Sequence, residues 1–248
     1  MRNAMRAAVL VLAALMAVEP ASAQTADEII DKSIAAMGGR AALAKITSRV
    51  STGTISLQTP VGDIPGTVEV MNAAPNKVRT LVKADLTSVG AGALEIDQRF
   101  DGENGYVLDS LQGNREMTGD LLQNMRNGSF PHGFLTYKEM GITARLKGTE
   151  KLANGEYHVI VFEPAKGAPI TQYIDAKTLL PVRYTVRVTV PQMNTEVDQT
   201  TELDDFRDVD GIKVPFTVRS SSSVQSYVIT FTNVAHNTAI DPKLFVKP

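Results

Sequence analysis

The 248-residue sequence has no cysteine and no tryptophan. Without cysteine there can be no disulfide, no thiolate nucleophile, no cysteine-ligated metal and no lipid attached through an N-terminal Cys. Stability must therefore rest on packing. An excess of positive charge is also missing: 25 basic residues face 27 acidic ones. That balance argues against nucleic acid or an anionic membrane surface as the main partner. Long apolar runs are absent too. The only candidate, Ala7–Val18, is about a dozen residues, too short to span a bilayer. Catalytic signatures are equally scarce: there is no Gly-x-Ser-x-Gly elbow, no His-Glu-x-x-His pair and no phosphate loop.

That one apolar run has a clear reading. Arg2 and Arg6 precede it, and Ala21-Ser22-Ala23 follows it with small residues at the positions a signal peptidase requires. Residues 1–23 are expected to be a cleaved secretory signal, with a periplasmic, soluble mature chain starting at Gln24. Taking Arg2, Arg6 and Glu19 from the totals of 25 and 27 leaves 23 basic and 26 acidic residues, a net charge of −3. Residues 24–248 are long enough to bury one full core as a single domain.

Thr25-Ala26-Asp27-Glu28 reads as a capping box opening a helix whose apolar stripe is Ile30, Ile34 and Met37, stopped by Gly38-Gly39. A short helical piece over 40–45 follows. From Ile46 the period changes to two. Ile46, Ser48 and Val50 share one parity and Ile55 and Leu57 the other, so a bulge near Gly53 is expected. About eleven strands are expected in all, separated by Pro, Gly and Asn punctuation, with hairpin turns at Asn154-Gly155 and Asp210-Gly211. The pattern breaks once. Thr118 caps a helix carrying Leu121, Leu122 and Met125, ended by Asn127-Gly128, and a second short helix holds Phe134, Leu135 and Tyr137. The clearest strand sets Val182, Tyr184, Val186, Val188 and Val190 against Arg183, Thr185, Arg187 and Thr189, which marks an antiparallel sheet with one wet face. Ile212, Val214, Phe216 and Val218 repeat it. Such a sheet must cover its apolar face by curling or with helices.

The residues that could carry chemistry have plainer readings. His132, His158 and His236 lie in separate segments without ligand spacing, and His158 reads as a core or edge residue. Asp208-Val209-Asp210-Gly211 resembles a calcium loop only faintly, since Phe206 and Thr217 stand where Asp and Glu are needed. Asp27/Asp31, Asp204/Asp205 and Arg183/Arg187 read as solvated faces. No metal and no cofactor is expected.

Four stretches carry a family resemblance. They are Ala74-Pro75-Asn76-Lys77-Val78-Arg79, Phe100-Asp101-Gly102-Glu103-Asn104-Gly105-Tyr106, Ile174–Pro181, and Asp205–Phe216. In this order, over nearly the whole mature chain, they resemble the periplasmic lipoprotein carriers and outer-membrane lipoprotein-sorting proteins, the Lol-type carrier superfamily. The resemblance implies a mainly β fold: an incomplete, half-open antiparallel β-barrel with the N-terminal helix and the central helical insertion as a lid. It also implies an apolar cavity for acyl chains. The resemblance, with strand parity for the strand residues, nominates Val68, Val70, Val78, Val82, Leu94, Ile96, Tyr184, Val186 and Val188 on strands and Leu121, Leu122, Met125 and Phe134 on the helical insertion as its lining. In the dedicated carriers an Arg before Pro-Asn latches the lid; here that place is Ala74.

The expectation is a non-enzymatic, monomeric carrier or receptor for a lipid or acylated lipoprotein, working with a delivery partner in the inner or outer membrane and with no nucleic acid. The rivals are a sensor or assembly module of the same fold that signals to a protein partner, and a secreted hydrolase, which a cleft joining His158 or His236 to carboxylates would support. A β-sandwich with a solid core is the plainest alternative.

Overall fold

The computed structural model describes residues 24–190 and 195–248. The expected signal segment, 1–23, lies outside them.

Helix α1 (Ala26–Ala36) begins with the capping box: the Glu28 N–H donates to the Thr25 hydroxyl at 3.2 Å, and the Thr25 N–H donates to the Glu28 carboxylate at 3.0 Å. Two left-handed glycines, Gly38 and Gly39, turn the chain into α2 (Arg40–Leu43). A side chain at Gly38 would strike the Gly211 carbonyl, so the turn can lie against the sheet only because it has none.

Thirteen antiparallel strands form one sheet. Five β-strands and a short sixth make the first arm: β1 (Ser48–Thr59), β2 (Gly62–Ala73), β3 (Lys77–Asp85), β4 (Ala93–Phe100), β5 (Gly105–Asp109) and β6 (Arg115–Glu116). The second arm is β7 (Thr143–Leu152), β8 (Gly155–Glu163), β9 (Ile170–Asp175), β10 (Pro181–Val190), β11 (Thr195–Val209), β12 (Ile212–Ser221) and β13 (Ser226–His236). Each arm is a meander, and the pairing of β1 with β13 joins them, leaving β6 and β7 as free edges. The count exceeds the expected eleven. The two-residue β6 has no sequence pattern of its own.

The edges stay apart for physical reasons. β6 offers almost no ladder, and β7 carries Arg145, Lys147, Lys151 and a bulge beside Gly148, all devices that discourage further pairing. Residues 117–142 cross the gap. They hold α3 (Gly119–Arg126) and a 3₁₀ turn at Gly133–Leu135. Thr118 is the N-cap of α3 by position, but its side chain makes no cap hydrogen bond.

The bulge expected near Gly53 is present, but the extra residue belongs to β13. Thr52 pairs with Asn233 and Gly53 with Phe231, while β1 and β2 run in unbroken register. Val50 consequently faces outward, whereas Ile55 and Leu57 face inward. Asp210 and Gly211 both adopt left-handed conformations in the β11–β12 hairpin, as the Asp-Gly turn requires.

Directly opposed residues share a face, which lets the inner surface be traced from strand to strand. One row runs Leu203, Val218, Ile229, Ile55; another runs Gly53, Val68, Val82, Ile96; a third runs Ala144, Phe162, Ile170, Val186. The main core packs Ile29, Ile30 and Ile34 of α1 and its C-cap Met37 against Ala144 of β7, Ile160 of β8, Phe216 of β12 and Phe231 of β13. In a flat sheet β7 and β13 would stand roughly 29 Å apart, against a helix about 10 Å wide. The sheet therefore curls around α1.

Candidate functional site

The curl leaves part of the inner face without a cover. A second, smaller cluster of buried Ile55, Val68 and Ile229 has Leu57, Val70, Val82, Val218, Tyr227 and Phe231 packed beside it; Phe231 joins it to the main core, and no helix residue belongs to it. Around it, Val78, Leu94 and Ile96 are half-buried on the same face. A monomer seldom leaves such contiguous apolar surface without a use.

The nominated residues divide between two regions. Half-buried Val70, Val78, Val82, Leu94 and Ile96 form a partly open surface on β2–β4, and Val68, at 3 % exposure, is buried beside them. Half-buried Tyr184, Val186 and Val188 lie on the inner face of β10. Phe134, 4 % exposed, and Tyr184 line an apolar pocket of about 400 Å³ with Tyr137, Ile142, Phe162 and Ile170. Leu122 and Met125 are half-buried on α3, and Leu121 is exposed at 44 %. A larger depression, about 480 Å³, lies where the C-terminal segment folds back, but Arg99, Asp101, Glu116 and Lys247 line it and Lys247 is paired to Glu116. Its charged walls suit no apolar chain.

The insertion is fixed at one end and loosely held at the other. Phe130, Phe134 and Tyr137 are buried. The Phe130 N–H donates to the Pro75 carbonyl at 2.7 Å, and the Arg49 guanidinium lies 5.4 Å from the Phe130 ring centre. The Tyr137 hydroxyl donates to Asp27 at 2.6 Å, and Lys138 pairs with the other Asp27 oxygen. No residue of α3 is buried. Polar contacts hold it instead: Arg126 Nε to the Glu103 carbonyl (2.9 Å), Asn127 Nδ2 to the Lys166 carbonyl (2.7 Å), and the Ala168 N–H to Asn124 Oδ1 (2.9 Å). These contacts bridge the two arms of the sheet.

Burial shapes the electrostatics beneath the insertion. Desolvation lowers the Arg49 pKa to about 10. Burial and then the charge of Arg49 push His132 down to about 4. Burial and then the Asp27 hydrogen bond raise Tyr137 to about 12. His236 is lowered by burial and by Arg49, against the opposing pull of Asp210.

That cluster bears on the hydrolase reading, because it joins a histidine to a carboxylate. His236 Nδ1 is 3.1 Å from Asp210, while Arg49 Nε donates to His236 Nε2 at 3.0 Å. An arginine can only donate, so Nε2 accepts and Nδ1 carries the proton toward Asp210. Both ring nitrogens are occupied, leaving none to activate a nucleophile. His158 Nδ1 lies 3.5 Å from the Thr149 hydroxyl. Among the described residues no group of His, Asp and Glu could hold a metal.

Sequence reading missed Arg49. Its signal was parity: it shares the inner face with Ile55 and Leu57, where an arginine is out of place. Also missed was Asp97 on the outer face, which accepts from both Arg79 (2.8 and 2.9 Å) and Arg99 (2.8 and 3.1 Å). The charged residues read as solvated faces find neighbours: Asp31 with Arg40, Asp204 with Arg219, Asp205 with Arg207, Arg187 with Asp198, and Arg183 over the Tyr173 ring.

Neither a protein-family model nor any curated protein matches the sequence. Solved structures do match. A DUF1329-family protein of Desulfovibrio piger superposes with TM-score 0.56 at 13 % identity, over 89 % of this chain and 95 % of that one. A LolA-superfamily protein of Nitrosomonas europaea gives 0.55 at 14 %, over 91 % and 99 %. A putative outer-membrane lipoprotein-sorting protein domain of Vibrio parahaemolyticus gives 0.54 at 11 %, over 88 % and 95 %. At these identities the likeness is one of architecture, an antiparallel sheet curled about an N-terminal helix and left open, and in that architecture the chain has the Lol-type carrier fold.

Proposed function

We propose that this chain is a periplasmic, non-enzymatic carrier or receptor that buries acyl chains of a lipid or acylated lipoprotein against the inner face of its sheet. One observation carries this reading: half-buried Val70, Val78, Val82, Leu94 and Ile96 extend the inner face of β2–β4 beside the buried Ile55, Val68 and Ile229, and no helix residue packs in that cluster. The chain's likeness in fold to a LolA-superfamily protein and a putative outer-membrane lipoprotein-sorting protein domain supports it.

Binding proceeds by burial. Each methylene removed from water contributes about 0.8 kcal/mol, so eight methylenes supply roughly 6 kcal/mol, more than four decades of affinity. No charged contact is needed. The fixed end of the insertion, Phe130 to Tyr137, forms the wall of the pocket. α3, with no buried residue, is the part that moves when ligand enters or leaves. The family's latching Arg is replaced by exposed Ala74, and Arg49 on Phe130 together with Asp27 on Tyr137 takes over the anchoring.

The test is native mass spectrometry of protein recovered from the periplasm, followed by delipidation and titration with an environment-sensitive dye and competing fatty acids or lysophospholipid. A lipid adduct and displaceable dye binding at micromolar levels are expected. Protein that carries no adduct and takes up neither dye nor lipid would remove the basis of the proposal.

A further inference from the structure

From β6 across to β12 the hairpin turns at the two ends of the sheet differ in chemistry; further along, the β8–β9 turn carries Lys166, and residues 191–194 of the β10–β11 turn lie outside the described residues. At one end, four tips that follow one another along the sheet each present one exposed aliphatic side chain. They are Val61 between β1 and β2, Val89 between β3 and β4, Leu111 between β5 and β6, and Val224 between β12 and β13. Val61, in the two-residue Pro60–Val61 turn, is 78 % exposed. Turn tips ordinarily take Gly, Asn, Asp, Ser or Pro, each for a conformational reason that Val and Leu do not satisfy. Single exposed aliphatics are common on protein surfaces. Four in register on consecutive tips are a pattern.

These tips also lack charge. The turns 60–61, 86–92, 110–114 and 222–225 contain no Lys, Arg, Asp or Glu. The opposite end carries Asp101 and Glu103 in one turn, Lys177 in another and Asp210 in a third; of the exposed aliphatics there, Leu152 flanks a turn and Val246 lies on the C-terminal segment beside Asp101. Successive tips stand two strands apart, roughly 10 Å. The four together mark a rim roughly 30 Å long. The partly open inner surface reaches this rim through Leu57, Ile64 and Leu94.

We infer that this rim is a bilayer-docking surface, and that its four aliphatic tips seat in the interface of an electrically neutral lipid surface. A row of separate aliphatic side chains on turn tips has no groove to grip a protein segment, whereas a fluid interface accepts each one independently. Interfacial binding draws on buried apolar area and on attraction to anionic headgroups, and here only the first is available. Docking should therefore need no anionic lipid and should persist at high salt. If the carrier reading holds, the docked rim also gives an acyl chain an apolar path from the bilayer to the inner surface; the docking itself does not depend on that reading.

The absence of tryptophan makes a clean test possible. Single reporters Val61→Trp and Val224→Trp, with Leu152→Trp as the opposite-end control, are mixed with phosphatidylcholine vesicles at low and high salt. The rim reporters should shift to the blue at both salt concentrations, and the control should not. A variant with Val61, Val89, Leu111 and Val224 all changed to Ser should float with vesicles at least about tenfold more weakly, while its dye affinity in vesicle-free solution stays unchanged. Reporters that stay unshifted, or a Leu152→Trp control that shifts equally, would overturn the inference. So would a blue shift that grows with protein concentration without vesicles, which would mean that a second copy covers the rim. Vesicle docking without any dye binding would leave the rim standing and the carrier reading fallen; dye binding without docking would do the reverse.

Discussion

Val68 and Val82 face each other across β2 and β3, on the same side of the sheet, and differ in water access. Val68 is 3 % exposed beneath the cluster with Ile55 and Ile229, whereas Val82 is half-buried beside Ile96 at the open surface. An aspartate at each position separates a solid core from a ligand face. In Val68→Asp the carboxylate has no partner among its apolar neighbours, an effective penalty of several kcal/mol. Losing the buried valine adds about 1.5–3 kcal/mol, against a typical total stability of about 5–15 kcal/mol. That variant should be largely unfolded. In Val82→Asp water already reaches the site, so the cost is about half a valine's burial, roughly 1 kcal/mol, or about 2–4 °C in melting temperature for a domain of this size. It should fold and bind dye or fatty acid at least about tenfold more weakly, since the acyl chain then meets a charge. Urea melts followed by dye titration check both halves. If Val82→Asp unfolds as completely as Val68→Asp, the surface is a packed core; if it folds and takes up ligand like the parent, Val82 faces no site.

Other consequences are more local. Burial pushes the Asp97 carboxyl up, but hydrogen bonds from Arg79 and then Arg99 outweigh it and hold it below the usual range; its contribution is therefore complete above pH ~4 and is lost as pH falls through the lowered value. Asp97→Asn should cost about 3 kcal/mol, the low end for removing one partner of a buried pair, and should flatten the acid limb of the stability curve in urea melts taken from neutral to acidic pH. Hydrogen bonds from Lys138 and then Tyr137 lower Asp27, so this exposed anchor too weakens only in acid; Tyr137→Phe should cost no more than about 1 kcal/mol in the same melts and should speed dye exchange. Removing the ties of α3 with Arg126→Ala and Asn127→Ala should raise hydrogen exchange over 119–128 and accelerate ligand release, with the melting temperature nearly unchanged, because no buried side chain is lost.

Legibility differed between elements for physical reasons. Period-two alternation in β10 and β12, the capping box of α1 and the Asp210-Gly211 turn were readable because local sterics and hydrogen bonding decide them alone. The inward parity of Val68, Val78 and Val82 followed from the same rule. The strand pattern failed at β6, where two residues, Arg115 and Glu116, pair only because β5 lies beside them. The bulge was visible as a parity conflict in β1, yet the extra residue proved to be in β13, a strand that meets β1 only after some 180 residues of chain. Arg49, His236 and Phe130 come from three distant segments, and nothing short of the folded sheet brings them together. What could be read was set within one strand or turn; what could not was set by which strands meet.

The open surface follows from how little helix the described residues have to cover so much sheet. Thirteen strands span an arc of roughly 58 Å, while one helix covers a strip about 10 Å wide. α1 serves the arm from β7 to β9 and reaches β12 and β13; α3, with eight residues, touches β10 and buries none of its own. About eight strands close into a barrel that side chains can fill; thirteen that stay open enclose more than the side chains here supply. The valines of β2 and β3 are consequently left in partial contact with water although their parity places them inward. On the proposed reading, an acyl chain laid against them would complete that burial, and the alternating inward pattern along the first arm is what marks the place.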